Sequence, residues 1–234
     1  MNIRPIRKRP SCIFYMVLLI SFFMLISKPL YASEQQVLVK KARVTLESYL
    51  SDTDFAWFTE HMKDAKALFI IPQFLKGAFV FGGAGGSGVV LVKNEKTGEW
   101  SHPGFYTMIS ASFGLQFGAQ ASELILMVMT QKGVLPFKNA SFKLGVEASG
   151  AVGPKGSSIE GSTPYNLSAD YLSFARTKGA FLGLSVEGAV IGVRNEWNWK
   201  YYGKPVSPRD IIIKNKVDNP GAAELIDLVS KATN

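Results

Sequence analysis

The residues whose spacing most resembles a chemical motif are the glycines of the segment 79–92. Gly83, Gly85 and Gly88 form a G-x-G-x-x-G pattern, which binds a dinucleotide pyrophosphate when it lies between a strand and a helix. Here Val-Val-Leu-Val and a turn-forming run at 93–98 follow, which predicts a second strand instead of a helix. The context argues against a nucleotide loop. It favours a glycine-rich bend or bulge between two strands, where another backbone packs closely.

Groups able to do acid–base or metal chemistry are sparse. The two histidines are His61, expected on a solvated helix face, and His102, expected in a loop. No nucleophile elbow accompanies them, and a histidine metal centre would need partners that the sequence lacks. Glu147 and Glu187 occupy two similar segments and could form a carboxylate pair for hydrolysis, with Asp170 as a further acid. Because no base or metal ligand accompanies these acids, the sequence favours structural carboxylates and predicts no enzyme and no cofactor.

The first 32 residues have the three parts of a secretory signal peptide. Basic residues between Arg4 and Arg9 precede an apolar stretch from Ile13 to Ser27, and a small residue, Ala32, marks a cleavage site. The apolar stretch is shorter than the roughly 20 residues of a spanning helix. The pattern predicts secretion across the inner membrane to the periplasm or envelope. The alternative is an uncleaved anchor.

The net charge of +8 is concentrated in this leader, which holds five of the 26 basic residues and none of the 18 acids. Residues 33–234 therefore carry only +3, whereas a nucleic-acid binder normally keeps a much stronger basic excess, so we predict no nucleic-acid partner. The leader also holds the single cysteine, Cys12, which precedes the apolar stretch and is badly placed for a lipoprotein anchor. Removal of the leader excludes disulfides and thiolate metal sites from the remaining chain.

The segment 33–50 predicts a basic amphipathic helix. Its candidates for membrane contact combine apolar and basic side chains: Val37, Leu38, Lys40, Lys41, Arg43 and Val44. Such a helix either packs on the domain with a solvated basic face or lies on a membrane surface. Each cation near an anionic surface contributes about 1 kcal/mol, so the three cations bind weakly unless apolar side chains insert. Asp52 or Asp54 is expected to cap a second helix.

The remaining chain predicts bent antiparallel strands, because all 22 glycines lie between Gly77 and Gly221 in apolar, β-branched sequence. Residues 106–119 alternate strictly, with Ile109 on the apolar face. Pro72 is expected to end an apolar segment before a turn or short helical piece, and 180–195 is expected to form one long strand. An aromatic cluster follows, in which Trp197 and Trp199 are candidates for membrane contact or for packing.

Together these elements predict an α+β fold: a glycine-rich antiparallel β-sandwich or partly closed barrel, with helices at the N-terminus and one helix at the C-terminus. The expected boundaries are a signal peptide at 1–32, amphipathic helices at 33–66 and a β-rich domain with its C-terminal helix at 67–234.

Several short motifs, in this order and spacing, resemble the SYLF family of lipid-binding domains over roughly residues 40–230. The motifs are Ile71-Pro72, the glycine run 82–89, Trp100-Ser101-His102-Pro103, the G-x-Q-x-G segment 114–118, the G-P-x-G turn 153–156, the segment 178–185 and Asn198-Trp199-Lys200-Tyr201-Tyr202-Gly203. Each motif is weak alone, and their combination is specific. The family occurs in bacterial secreted proteins and in eukaryotic proteins of membrane traffic and actin regulation.

The resemblance implies binding of phospholipid or phosphoinositide and no established enzymatic activity. It places membrane contact on a basic N-terminal helix, a place that Lys40, Lys41 and Arg43 occupy here. The SH3 and zinc-finger modules of some eukaryotic relatives are lacking in this sequence, so a cytoskeletal role is not carried over. In a secreted setting we expect anionic glycerophospholipid as the partner. The alternative is an interaction protein of the envelope that binds a protein partner and has no lipid role.

Overall fold

The computed structural model describes residues 33–78, 81–113, 118–156, 168–177, 180–182 and 184–233. The predicted signal peptide, its alternative as an anchor, and Cys12 lie outside these ranges, as does most of the G-x-Q-x-G motif.

Six α-helices lie in the described ranges. They are α1 (Glu34–Leu50), α2 (Ala56–His61), α3 (Gln131–Val134), α4 (Asn195–Tyr202), α5 (Pro208–Ile212) and α6 (Ala223–Ala232), with 3-10 turns at Thr53–Phe55, Met62–Asp64, Leu135–Lys138 and Pro220–Ala222. The Ser33 hydroxyl accepts a hydrogen bond from the Gln36 amide and caps α1, and Asp52 caps the next turn through the Asp54 amide, as expected. Among the described helices, none is both long and apolar enough to cross a bilayer.

The described strands form one sheet. They are β1 (Ala67–Ala78), β2 (Phe81–Val92), β3 (Gly104–Phe113), β4 (Gly118–Val128), β5 (Ser141–Lys143), β6 (Gly150–Val152), β7 (Tyr171–Thr177), β8 (Ala180–Leu182) and β9 (Val190–Val193). Their order is β5-β9-β3-β2-β1-β4-β7-β6, and β8 pairs with β7. Only the β6–β7 pair is parallel among the pairs described. The sheet curls into a half-barrel, so the predicted α+β class is confirmed in its partly closed form.

The prediction that Pro72 ends a strand is wrong, because β1 continues through it. The register of β1 against β2 shifts between Ile70 and Gln73, which marks a bulge. A bulged residue needs no ladder hydrogen bond, so a proline, which has no N–H, is tolerated there.

The glycine run lies inside β2 and forms no bend between strands. Its expected close backbone contact is confirmed, because the β1 bulge approaches β2 there. A Cβ atom on Gly86 would lie 2.4 Å from the carbonyl oxygen of Gln73, and one on Gly88 would lie 2.2 Å from that of Ile70. Only glycine therefore fits at these two positions.

The long strand predicted at 180–195 is also wrong. The chain forms the short strands β8 and β9, with a turn between them in which Gly188 has a φ of +78°. The aromatic cluster that follows is the helix α4, and the apolar run at Ile211 lies in α5.

The sheet buries a hydrophobic cluster on each face. On one face, which we call the helix face, α1, α2, α4 and α6 cover strand residues such as Ile70, Val89 and Phe105. On the other face, α3, α5 and connecting segments cover residues such as Phe69 and Tyr106. Both clusters belong to one compact unit, residues 33–234. This range contains both described cores, so we expect it to fold by itself.

Candidate functional site

A groove of about 570 Å³ runs between α1 and the strands β1, β4 and β7. We call it the α1 groove. Its α1 side is formed mainly by Val37, Lys40, Lys41 and Val44, and its strand side includes Gln73, Ala121, Glu123 and Arg176. The volume lies within the range of small-molecule sites, about 300–1,000 Å³.

Helical spacing explains why α1 presents this side. Val39, Ala42, Leu46 and Tyr49 fall on one stripe and are buried against the sheet. Residues four and seven positions after Val37 share a neighbouring face, which holds Lys41 and Val44. Val37 is 40% exposed and Val44 is 53% exposed. Two aliphatic side chains are thus held at the surface beside two lysines.

The two lysines of the groove differ from the third predicted cation. Lys40 and Lys41 are exposed, and neither forms an ion pair with another described residue. Arg43 lies apart from the groove, because its guanidinium contacts Glu47 at 3.0 Å and Glu224 at 3.4 Å. It ties α1 to the C-terminal helix. The structure thus brings Lys40 and Lys41 together and separates Arg43 from them.

Leu38, a further predicted contact residue, is only partly exposed. It packs against the cluster on the helix face, beside side chains such as Val39 and Leu225. Its contribution is to hold α1 on the sheet.

An ion-pair network of one arginine and two acids lies at the strand side of the groove. The Arg176 guanidinium forms a hydrogen-bonded ion pair with Glu123 and lies 3.7 Å from Asp52. The Thr45 hydroxyl donates to the other Glu123 oxygen at 3.2 Å. Arg176 also lies 5.3 Å from the centre of the Tyr49 ring. Since two acids satisfy Arg176, it fixes α1 against β4 and β7 and leaves Lys40 and Lys41 as the cations open to an anion.

The two predicted tryptophans lie on different sides of α4, because residues two apart on a helix point in nearly opposite directions. Trp197 is partly buried against Phe105, and the Arg194 guanidinium lies 3.6 Å above its ring. Trp199 is 43% exposed, and its indole N–H donates to the Val206 carbonyl at 3.1 Å. Neither tryptophan lines the α1 groove.

The carboxylates considered for hydrolysis differ in burial. Glu147 and Glu187 are exposed. Asp170 is buried and accepts hydrogen bonds from the Thr130 hydroxyl at 2.5 Å and from the Ser149 amide at 2.9 Å. Burial would raise the pKa of Asp170, but these hydrogen bonds and the charge of Lys132 outweigh it and lower the pKa. Asp170 therefore acts as an ionised structural anchor between three segments.

Both histidine side chains contact neighbouring side chains in the fold. His61, expected to be solvated, is only partly exposed: its ring stacks on Trp57 at 3.9 Å. The His102 Nε2 lies 3.3 Å from an Asp218 oxygen, and its buried Nδ1 has no hydrogen-bond partner among the described residues. Burial lowers the pKa of His102, and the nearby Asp218 opposes this effect only in part.

The groove residues that lie on the strands were not predicted from the sequence. Gln73, Ala121, Glu123 and Arg176 come from three strands that meet only in the folded sheet. A partial signal was present, since an arginine and a glutamate interrupt otherwise apolar strands. Nothing local showed that the two side chains pair, because pairing depends on the register of β4 against β7.

Comparison with known proteins identifies the family of this chain. The model of the Ysc84 family, described as "Las17-binding protein actin regulator", matches residues 109–232. The chain belongs to the Ysc84 (SYLF) family. The family match covers β4, β7 and α6, including Glu123 and Arg176, whereas α1 precedes it.

Curated relatives of this Ysc84-family chain include proteins of yeast and mammals. It is 33% identical over 166 residues to the "LAS seventeen-binding protein 3" of Saccharomyces cerevisiae, covering 70% of this chain and 36% of that protein. It is 31% identical over 165 residues to the human "SH3 domain-containing YSC84-like protein 1", covering 70% of this chain and 47% of that protein. The rat protein of that name is 29% identical over 170 residues, covering 72% and 49%. The match thus spans about half or less of these relatives.

Proposed function

We propose that this Ysc84-family protein binds anionic phospholipid at a membrane surface through the α1 groove. The observation that carries the proposal is the pairing of two exposed valines, Val37 and Val44, with two lysines that lack a described ion-pair partner. Exposed aliphatic side chains between cations are the pattern of a helix that lies in the headgroup region. The role is one of binding and not of catalysis.

The expected strength of this contact is modest. Lys40 and Lys41 contribute about 1 kcal/mol each near an anionic surface. Full burial of a valine contributes about 1.5 kcal/mol or more, so burying the exposed half of Val37 and Val44 adds roughly 1 kcal/mol each. The sum of about 4 kcal/mol corresponds to a dissociation constant near 1 mM. Binding by α1 alone is therefore weak and reversible, and tighter binding needs further apolar contact.

The proposed setting is the bacterial-type envelope. The basic and apolar pattern of residues 1–32 supports export across the inner membrane to the periplasm or envelope. Anionic glycerophospholipids are the expected ligands in such a setting.

The test is co-sedimentation of residues 33–234 with vesicles of phosphatidylcholine, with and without phosphatidylglycerol. The double variant Lys40→Glu/Lys41→Glu is compared with Lys63→Glu/Lys96→Glu, which makes the same charge change at exposed lysines outside the groove. We expect binding that requires phosphatidylglycerol, is lost in the first variant and is retained in the second. Arg43 is left intact, because its ion pairs stabilise α1. An equal loss of vesicle binding in both variants would mean that binding depends on net charge and not on the α1 groove.

A second candidate function is binding of a protein partner in the envelope. The names of the family and of the yeast relative describe Las17 binding, and this supports a protein partner for the shared domain. Vesicle binding distinguishes the two functions. If wild-type protein binds no vesicle of either composition, the membrane proposal fails and a protein partner becomes the leading candidate.

A further inference from the structure

Beyond α1, the sheet presents a row of apolar side chains that none of the described helices covers. In the register of the sheet, Leu75 of β1 lies opposite Gly85 of β2, Gly85 lies opposite Ile109 of β3, and Ile109 lies opposite Val190 of β9. Directly paired residues point to the same face, which here is the helix face. Leu75 is 52% exposed, Ile109 is 60% exposed and Val190 is 44% exposed. We call these four residues the floor row.

The floor row is continuous with the α1 groove. Ala121, which lines the groove, lies opposite Leu75 on the other side of β1. Gln73, which also lines the groove, lies two residues before Leu75 and therefore on the same face. The Arg194 guanidinium donates to the hydroxyl of Ser87 at 2.7 Å. Ser87 lies two residues after Gly85 on β2 and therefore on the same face. The groove and the floor row thus form one surface, with α1 as its wall.

The shape of this surface indicates its occupant. A helix is about 10–12 Å across, so α1 stands roughly 10 Å above the floor row. A flat bilayer resting on α1 would leave the floor in water. The strands from Ala121 to Val190 span four spacings, or about 19 Å, and one leaflet of a 30 Å hydrocarbon core is about 15 Å thick. The floor is therefore long enough for one acyl chain.

Gly85 shapes the middle of the floor. It lies between Leu75 and Ile109 and carries no side chain, so a shallow notch separates the two aliphatic residues. A Cβ atom there would lie 3.1 Å from the Met108 carbonyl oxygen, which is a tight contact. The glycine thus keeps the floor low where a chain would cross it.

The charges at the rim match an anionic amphiphile. Lys40 and Lys41 lie on α1, beside the floor row. Glu123, the acid that lines the groove, is already paired with Arg176. A second copy of the chain packed on this surface would bring its own lysines toward these two, whereas a phosphate would complement them. Charge therefore favours a lipid over self-association.

We propose that the floor row binds one acyl chain of an anionic phospholipid whose headgroup lies at Lys40 and Lys41. This inference rests on the proposed membrane function and adds to it: the protein holds a lipid chain against its sheet and does not only touch headgroups. It also supplies the apolar contact that α1 lacks, since each buried methylene strengthens binding about fourfold.

The direct test uses the absence of cysteine from residues 33–234. The single variants Ile109→Cys and Val146→Cys are labelled with an environment-sensitive fluorophore. Val146 is a matched control, because it is 75% exposed and lies on a turn outside the floor row. The labelled proteins are mixed with phosphatidylcholine–phosphatidylglycerol vesicles that carry a nitroxide either midway along an acyl chain or on the headgroup.

We expect the chain nitroxide to quench the label at position 109 more strongly than the headgroup nitroxide does, and to leave the label at 146 unquenched. Co-sedimentation is measured on the same samples. Vesicle binding without quenching at 109 would overturn the acyl-chain inference and leave the proposed function intact. Loss of vesicle binding altogether would overturn both.

A substitution series tests the same contact without a label. Leu75→Thr/Ile109→Thr places β-branched side chains, which suit strands, at two exposed strand positions and removes apolar surface. We expect it to weaken vesicle binding about tenfold or more, whereas Leu135→Thr/Val146→Thr, at exposed sites elsewhere, leaves binding unchanged. Light scattering tests the alternative occupant, which is a second copy of the chain. A wild-type dimer that the first variant converts to a monomer would show that a second copy covers the floor and would overturn the inference.

Discussion

Replacing Gly88 by alanine is expected to destabilise the protein far more than the same replacement at Gly83. Both glycines lie in β2, five residues apart. A Cβ atom on Gly88 would lie 2.2 Å from the Ile70 carbonyl oxygen and 2.9 Å from its carbonyl carbon. A Cβ atom on Gly83 would have no heavy atom within 4 Å. The pair therefore separates the effect of a close backbone contact from the general effect of alanine in a glycine-rich strand.

The magnitude follows from the clash at Gly88. Ordinary contact begins near 3.4 Å, so the β1 backbone would have to move by about 1 Å. Overpacking typically costs about 1–3 kcal/mol when side chains can adjust. Here the obstacle is backbone, and moving it also weakens ladder hydrogen bonds of about 1 kcal/mol each. We expect Gly88→Ala to lower the free energy of unfolding by about 3–5 kcal/mol. Gly83→Ala restricts the unfolded chain and is expected to change it by less than about 1 kcal/mol.

Chemical denaturation of residues 33–234, followed by tryptophan fluorescence, measures both values. Thermal unfolding gives a second measurement, in which 1 kcal/mol corresponds to about 2–4 °C for a protein of this size. Gly88→Ala should unfold about 6–20 °C below wild type. A difference between the two variants of less than about 1 kcal/mol would refute the reasoning, because it would mean that the β1 bulge yields to an added methyl group at little cost.

Two further predictions concern buried titratable groups. Burial lowers the pKa of His102 in the folded protein, so its contribution to stability is complete above the unfolded value near 6.5 and is lost as pH falls below it. His102→Gln should therefore flatten the fall in unfolding free energy between about pH 7 and pH 5, and an unchanged slope would contradict this assignment. Asp170→Ala should cost about 1–3 kcal/mol at pH 7, because it leaves partly buried donors of Thr130 and Ser149 without their acceptor. Because the folded pKa of Asp170 is lowered, its contribution to stability is complete above the unfolded value near 3.9 and is lost as pH falls through the lower folded pKa. The cost should therefore be smaller at pH 3 than at pH 7, and denaturation at both values measures it.

The fold was predictable where its signals are local. The first helix followed from the apolar spacing of residues 33–50, and the strand β3 followed from the strict alternation that begins at residue 106. The close backbone approach at the glycines followed from their density. The errors lie where local signals are ambiguous. Pro72 lies in a strand because a bulge on β1 removes the need for its N–H, and this bulge is defined only by the register against β2 and β4.

The candidate site was predictable only in part, because a helix shows its own faces but not what lies beneath them. The pattern of α1 indicated six contact candidates, of which the structure places Val37, Lys40, Lys41 and Val44 at the groove. Arg43 belongs to the same basic run, yet it points to Glu224, an acid nearly two hundred residues away in sequence. Likewise, nothing within α4 shows that Trp197 packs on Phe105 of β3. Long-range pairing of this kind decides which of the predicted residues share a surface.

The position of Ile109 shows most sharply why the floor row could not be found from sequence. Strict alternation placed this residue on an apolar face, as alternation does for any core strand. Phe105, on the same face of β3, is fully buried, yet Ile109 is 60% exposed. The difference is coverage, because the helices cover Phe105 and end before Ile109. Alternation shows which face a side chain is on, whereas the placement of the helices, here of α4 over Phe105, decides whether that part of the face is core or surface. An apolar binding floor therefore has the sequence pattern of a core, and only the boundary of the helical layer separates the two.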